Sequence, residues 1–267
     1  MPDPAATRAP ADAVVKQIDH VMIATNERDR LEALLSDTLG LPVAWPAAGT
    51  PRTANTLVGL ALGNVILELA PRRRASPTEL SNFAFQPVDL QTAPDRLTRR
   101  GLVPREPATE INDAGEKRWT TIGFRHPFAG VAFFVIQYHA FNMEERRSRF
   151  ERVHRSGGGG PLGLHRVREF HLSYPAEHLP AARDSWQRLL GAPGSNSSSY
   201  FRPAAGPSIR LVEGSGPESS SVIAEVRSLS NAAAAARSLG LLLSVSRDSV
   251  VLDPRRFGGL RLVLVER

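Results

Sequence analysis

Short alternating runs of apolar and polar residues occur along the chain, and several precede a helical pattern that ends at glycine. The run "IDHVMIAT" at 18–25 alternates with the period of a strand. Leucines at helical spacing follow it, and then Gly40 and Pro42, which suit the end of a helix. Residues 17–42 therefore predict a strand, a helix and a glycine stop.

The same pattern returns in the second half of the chain. Residues 168–193, "REFHLSYPAEHLPAARDSWQRLLGAP", match 17–42 in one register. His20 and His171 are 151 positions apart, and so are the helix-ending glycines Gly40 and Gly191. Internal repetition at a constant offset indicates one supersecondary unit used more than once.

A second pair of matching segments lies between these copies. Residues 82–102 match 221–241, and 130–138 match 259–267. Each copy predicts a strand, a helix, a glycine and about three further strands. The predicted fold class is α+β, with four βαβββ units that form two half-open barrels in tandem.

The run "RSGGGGP" at 155–161 is the best linker candidate, since four glycines form regular structure poorly. The Pro- and Ala-rich start lacks the pattern of a signal peptide. In chain order, the sequence predicts a disordered tail at 1–13, a first domain of two units at 14–140, a linker at 141–164 and a second domain of two units at 165–267.

Composition removes several classes of function. The chain has no cysteine, so disulfides, thiolate metal sites and cysteine nucleophiles are excluded. The net charge of +6 comes mostly from arginine, but only 3 Trp and 3 Tyr leave little for base stacking. We expect a cytoplasmic protein with a small-molecule ligand and no nucleic-acid or membrane partner. A homodimer is left open as a possibility.

Three stretches carry a resemblance to a known superfamily: "IDHV" at 18–21, "GTPRTANTLVGLALGNVILELA" at 49–70 and "AFFVIQY" at 132–138. In this order the chain resembles the vicinal oxygen chelate (glyoxalase/bleomycin-resistance/extradiol dioxygenase) superfamily, and its glyoxalase-like domains most closely. The resemblance implies paired units around a cup. It also implies a divalent metal (Zn, Mn, Fe or Ni) held by the first and fourth strands, where it chelates neighbouring substrate oxygens.

Carried over by position, the resemblance gives candidate site residues. The metal set is His20, Glu68 and Gln137, and the proton-shuttle candidates are Glu68 and His139. The substrate pocket would contain Asn55 and three phenylalanines, Phe83, Phe85 and Phe133, with Trp45 as a further wall. The candidates in the second half are His171, Glu213 and Glu266.

Two classes of function stay open. A lyase or isomerase would use a metal at His20 and Glu68, whereas a binding protein would hold its ligand without one. The first strand of the second unit has Asn82 and Phe83 where the superfamily often has histidine, which favours the binding protein. Val222 stands where a ring-cleaving dioxygenase has its second histidine, so that reaction is disfavoured. A histidine in a strand is also commonly only structural.

Overall fold

The computed structural model describes residues 13–50, 53–72, 77–191 and 199–267, with side chains throughout except at 47–50 and 53–56. The predicted tail at 1–13 therefore lies almost wholly outside the described residues. Within the described ranges, no helix is both long and apolar enough to cross a membrane.

The first sheet has eight strands in the order β2-β3-β4-β1-β5-β8-β7-β6. Strand β1 pairs in parallel with β4 and antiparallel with β5, which joins the two units side by side. The strands are β1 (Val15–Thr25), β2 (Val43–Thr50), β3 (Thr53–Leu62), β4 (Val65–Pro71), β5 (Glu79–Pro87), β6 (Ala108–Ile111), β7 (Lys117–Gly123) and β8 (Ala132–Tyr138).

The second sheet repeats this plan with seven strands in the order β10-β11-β9-β12-β15-β14-β13. Its central pair, β9 and β12, is again antiparallel, and β9 pairs in parallel with β11. The strands are β9 (Leu164–Tyr174), β10 (Tyr200–Phe201), β11 (Ser208–Glu213), β12 (Ser221–Val226), β13 (Leu242–Val245), β14 (Val250–Leu252) and β15 (Arg261–Glu266). The two curled sheets, one of them a half-barrel, confirm the predicted α+β class.

Five α-helices are described: α1 (Arg28–Ala33), α2 (Ala93–Arg99), α3 (Met143–Ser156), α4 (Leu179–Leu190) and α5 (Leu229–Ser238). Helix α1 continues as one π-helical turn over Leu34–Thr38. The four glycines that match between the repeats, Gly40, Gly101, Gly191 and Gly240, all have positive φ, which glycine adopts without a steric penalty.

Helix α3 occupies much of the segment 141–164 that the glycine run suggests as a linker. Asn142 caps its start by accepting hydrogen bonds from the amides of Glu144 and Glu145. The glycines that follow are packed rather than free, because a Cβ on Gly160 would lie 2.0 Å from the carbonyl oxygen of Leu39. The segment between the halves is therefore ordered and packed rather than a flexible linker. The domain boundaries themselves stay a prediction.

The two halves share a continuous core. Phe83 packs edge-to-face on Phe170 and Trp186, with ring centroids 5.0 and 5.6 Å apart. The Tyr174 hydroxyl donates to the carbonyl of Val131 and accepts from Nε1 of Trp186. Aromatic pairs and satisfied polar groups of this kind fix one packing of the halves.

Candidate functional site

A β-bulge in β1 builds the site in the first half. The register between β1 and β5 shifts between Ile18 and His20. Ile18, Val21 and Ile23 all enter the core, so Asp19 and His20 both point to the concave face, which we call the first cup. The strict alternation expected from the sequence, which put Ile18 beside His20, is wrong at this bulge.

In the first cup the ring of His20 lies between two carboxylates. Its Nδ1 atom is 2.8 Å from Oδ1 of Asp19, and its Nε2 atom is 3.8 Å from Oε1 of Glu68. The rings of Trp45 and Phe134 stand edge-on to the imidazole, with centroids 5.8 and 5.9 Å away. The structure thus brings His20, Glu68 and Trp45 close together.

Burial and charge shift the acidity of this cluster. Burial lowers the pKa of His20, but the Glu68 and Asp19 carboxylates outweigh it and hold that pKa above its usual value. Burial raises the pKa of Glu68, against the opposing effect of His20. Burial and the same two carboxylates raise the pKa of Tyr138 well above 10.0, so its phenol keeps its proton. The cluster favours a protonated imidazole.

Helix α3 covers the first cup. Arg147 reaches down from it, and one Nη atom donates to the carbonyl of Ile18 at 2.6 Å. Met143 packs with Ala44, Ala61 and Ile66 in a small apolar cluster on the cup side. Because of this cover, His20 is only 3% exposed and Glu68 only 7%. The first cup is a closed site.

Gln137 and His139 do not join this cluster. Phe134 faces His20, so the alternation of β8 turns Phe133 and Gln137 to the opposite face. His139 follows on that side, where its Nε2 atom is 2.8 Å from Oγ1 of Thr120. The repeat predicted the strand correctly, but the expectation that Gln137 and His139 point into the first cup is wrong.

The phenylalanines expected in the substrate pocket lie elsewhere. Phe83, Phe85 and Phe133 are at most 1% exposed and pack around Trp186 in the core between the halves. They therefore do not line either cup. Asn55 lies in β3, and its side chain is outside the described residues.

A different cluster lies on the face of the second sheet opposite its core, which we call the second cup. Oε1 of Glu169 accepts from Nε2 of His171 at 2.5 Å and from Nε of Arg210 at 2.7 Å. Burial raises the pKa of Glu169, but these two donors outweigh it and lower that pKa below its usual value. The side chains of His171 and Arg210 are 33% and 44% exposed. This cluster can be reached from solvent.

The two acidic candidates of the second half lie away from His171. Glu213 is exposed at the end of β11 and pairs with Tyr174. Glu266 pairs with Val226, whereas His171 pairs with Ser221 at the other end of β12. Five residues of strand separate these positions by about 16 Å. Only His171 among the three lies in the second cup.

The donors present do not fit the divalent metal that the superfamily resemblance implies. No group of three His, Asp or Glu side chains in the described ranges is arranged to hold a metal ion. The first cup offers His20 and Glu68, while the Asp19 carboxylate contacts the other ring nitrogen of His20 and the guanidinium of Arg147 lies nearby. In the second cup the guanidinium of Arg210 already occupies the carboxylate of Glu169. A catalytic metal usually needs three protein ligands.

Sequence reasoning missed several members of both clusters. Asp19 was hidden by the bulge, and Arg147 by its place in a predicted linker. Neither Glu169 nor Arg210 was among the residues that the sequence assigned to a site. A useful signal was the "DH" pair in β1, because an adjacent carboxylate commonly orients a functional imidazole.

Comparisons with known proteins support the fold. No protein-family model matches the chain, and no curated protein matches it. A mutant of homoprotocatechuate 2,3-dioxygenase from Brevibacterium fuscum is similar in structure, with a TM-score of 0.63, 14% identity, and coverage of 97% of this chain and 74% of that one. The enzyme of Arthrobacter globiformis gives a TM-score of 0.59, 14% identity, and coverage of 100% and 84%.

These extradiol dioxygenases are members of the vicinal oxygen chelate superfamily, so the predicted resemblance is confirmed at the level of the fold. Identity this low does not carry their activity over to this chain.

Proposed function

We propose that this protein binds a small organic anion on the second cup without a metal ion. The observation that carries the proposal is the cluster of His171, Glu169 and Arg210, in which the guanidinium and the imidazole both bind the carboxylate of Glu169. The function is then binding or sequestration, as in the non-catalytic reading of the sequence.

Arg210 supplies the anion contact. Its Nε atom is held by Glu169, and its guanidinium lies 5.2 Å from the ring centroid of Tyr200. The Nη atoms have no hydrogen-bond partner among the described residues, and the Arg210 side chain is 44% exposed. A guanidinium oriented by a carboxylate and an aromatic ring is well suited to bidentate binding of another carboxylate.

The rest of the second cup suits an apolar body. Leu262 and Leu264 enter the core, so Val263 and Val265 face the concave side of β15 and are half-buried. A ligand with a carboxylate near Arg210, a polar group near His171 and an aromatic or aliphatic body over these valines would use all three features.

A similar structure supports this class of ligand. The B. fuscum dioxygenase has been solved in complex with 3,4-dihydroxyphenylacetate, at 13% identity to this chain and a TM-score of 0.59. That molecule is an aromatic carboxylate with two neighbouring oxygens, so it is the first probe for this protein.

The test is an NMR titration of the full chain with 3,4-dihydroxyphenylacetate. We expect shifts at the His171 imidazole, and binding about tenfold weaker in Arg210→Gln, because a charge-assisted contact is lost. Arg237→Gln, at an exposed arginine of α5, is the matched control. Equal binding by Arg210→Gln and the wild type would refute the site.

A second candidate is a lyase or isomerase centred on the first cup. The observation in its favour is the cluster of Asp19, His20 and Glu68, in which Nδ1 of His20 lies 2.8 Å from Oδ1 of Asp19 and can exchange a proton with it. The cover by α3 counts against it. Elemental analysis of the wild type and His20→Ala after mild chelation separates the candidates, since a metal present only in the wild type would support the enzyme.

A further inference from the structure

A cleft lies beside the apolar cluster that covers the first cup, and it shares Ala44 and Phe150 with that cluster. It has a volume of about 500 Å³ and runs between the start of β2 and the helix. Its walls contain three arginines, two phenylalanines and four other residues: Arg146, Arg149, Arg152, Phe141, Phe150, Val43, Ala44, Asn142 and Glu145. A concave surface of this size can bury much of a small molecule.

The charge in this cleft is positive. Three guanidinium groups face one carboxylate, that of Glu145. Arg146 already makes a hydrogen bond within the protein, because one of its Nη atoms donates to the carbonyl of Ala44 at 2.6 Å. Arg149 and Arg152 are exposed and make no ion pair or hydrogen bond with the described residues. Two cations one helical turn apart are thus left for a ligand.

The cleft also exposes apolar surface. Val43 is 43% exposed and Phe141 is 39% exposed, and they are among the few large apolar side chains left to solvent. Phe141 is held in place by stacking on Tyr138, with ring centroids 4.6 Å apart. Arg146 lies over Phe141 and Phe150, at 4.8 and 5.8 Å from their centroids. A rigid aromatic wall beside guanidinium groups suits a flat apolar body.

We infer that this cleft is a second ligand site, which takes a small molecule with an aromatic or apolar body and an anionic group. The aromatic body lies against Phe141 and Val43, and the anion is bound by Arg149 and Arg152. The site is separate from the second cup and does not rest on the function proposed there.

The test uses two fluorescent probes on the full chain. Anilinonaphthalene sulfonate carries an anion on an aromatic body, and phenylnaphthylamine is its neutral analogue. We expect one saturable site for the sulfonate, and about tenfold weaker binding in Arg149→Gln/Arg152→Gln. The neutral probe should bind that variant as it binds the wild type, whereas Phe141→Ala should weaken both probes.

The matched control is Arg237→Gln/Arg247→Gln, which removes two exposed charges from the second half. It should bind both probes as the wild type does, and so should Arg210→Gln, which tests the second cup. The inference is overturned if Arg149→Gln/Arg152→Gln binds the sulfonate unchanged, if the control weakens it equally, or if no saturable binding is seen. Thermal unfolding of each variant verifies that it is folded.

Discussion

The Nε2 atom of His20 lies 3.8 Å from Oε1 of Glu68, across the parallel strands β1 and β4. Both side chains are buried beneath α3. A charge pair in such a place acts with little screening by solvent, so each group controls the protonation of the other.

The first prediction concerns that control. Glu68→Gln removes the largest effect that raises the pKa of His20, and the pKa should fall. An NMR titration of the imidazole resonances measures it. His126, which packs on Phe133, is the internal control and should titrate alike in both proteins. An unchanged pKa of His20 would mean that the two groups are not coupled.

The second prediction is a pH dependence of stability. The raised pKa of His20 means that the folded chain holds this proton more tightly than the unfolded chain. The resulting stability is complete below the unfolded-state pKa of about 6.5 and is lost as the pH rises through the higher folded-state pKa.

Urea unfolding of the wild type and His20→Gln measures this contribution. The difference in the free energy of unfolding should be about 2 kcal/mol below a pH of about 6.5. It should shrink as the pH rises into the alkaline range. A difference that grows as the pH rises would contradict a protonated His20.

The repeat made the fold predictable, whereas details of single strands limited the prediction of the site. The constant spacing from His20 to His171 and from Gly40 to Gly191 defined the units, since strand and helix periods survive in sequence. The bulge at Asp19 is a local register shift with no sequence signature, and it moves a carboxylate to the other face.

The sequence also did not predict that helix α3 covers the first cup. Helix α3 ends directly before four glycines, and that composition suggests a free linker. Whether such glycines are free or packed depends on tertiary contacts, here between Gly160 and Leu39. The third prediction tests this packing.

Gly160→Ala and Gly158→Ala form a matched pair, because φ is +65° and +72° at these positions. Both substitutions strain the backbone, but only at Gly160 does a Cβ meet another backbone atom. We expect Gly160→Ala to lower the free energy of unfolding by about 2 kcal/mol more than Gly158→Ala does. Equal losses in urea unfolding would show that the glycine run is not packed.

The fourth prediction concerns the contact between the halves at Asn64. Its side chain donates to the carbonyl of Val167 at 3.1 Å and accepts from the amide of the same residue at 2.9 Å. Asn64→Ala leaves two buried backbone groups without partners, which costs about 1–3 kcal/mol. Asn231→Ala, at an exposed position on α5, should change the urea midpoint little. A similar effect of both variants would argue against the bridge.

The central claim is that the second cup binds its ligand without a metal, and one titration tests it most directly. Calorimetry of the wild-type protein with 3,4-dihydroxyphenylacetate is carried out in excess EDTA and again with added Zn²⁺ or Mn²⁺. We predict one binding site with the same affinity in EDTA as with either metal. Binding that disappears in EDTA and returns with a metal would contradict the claim.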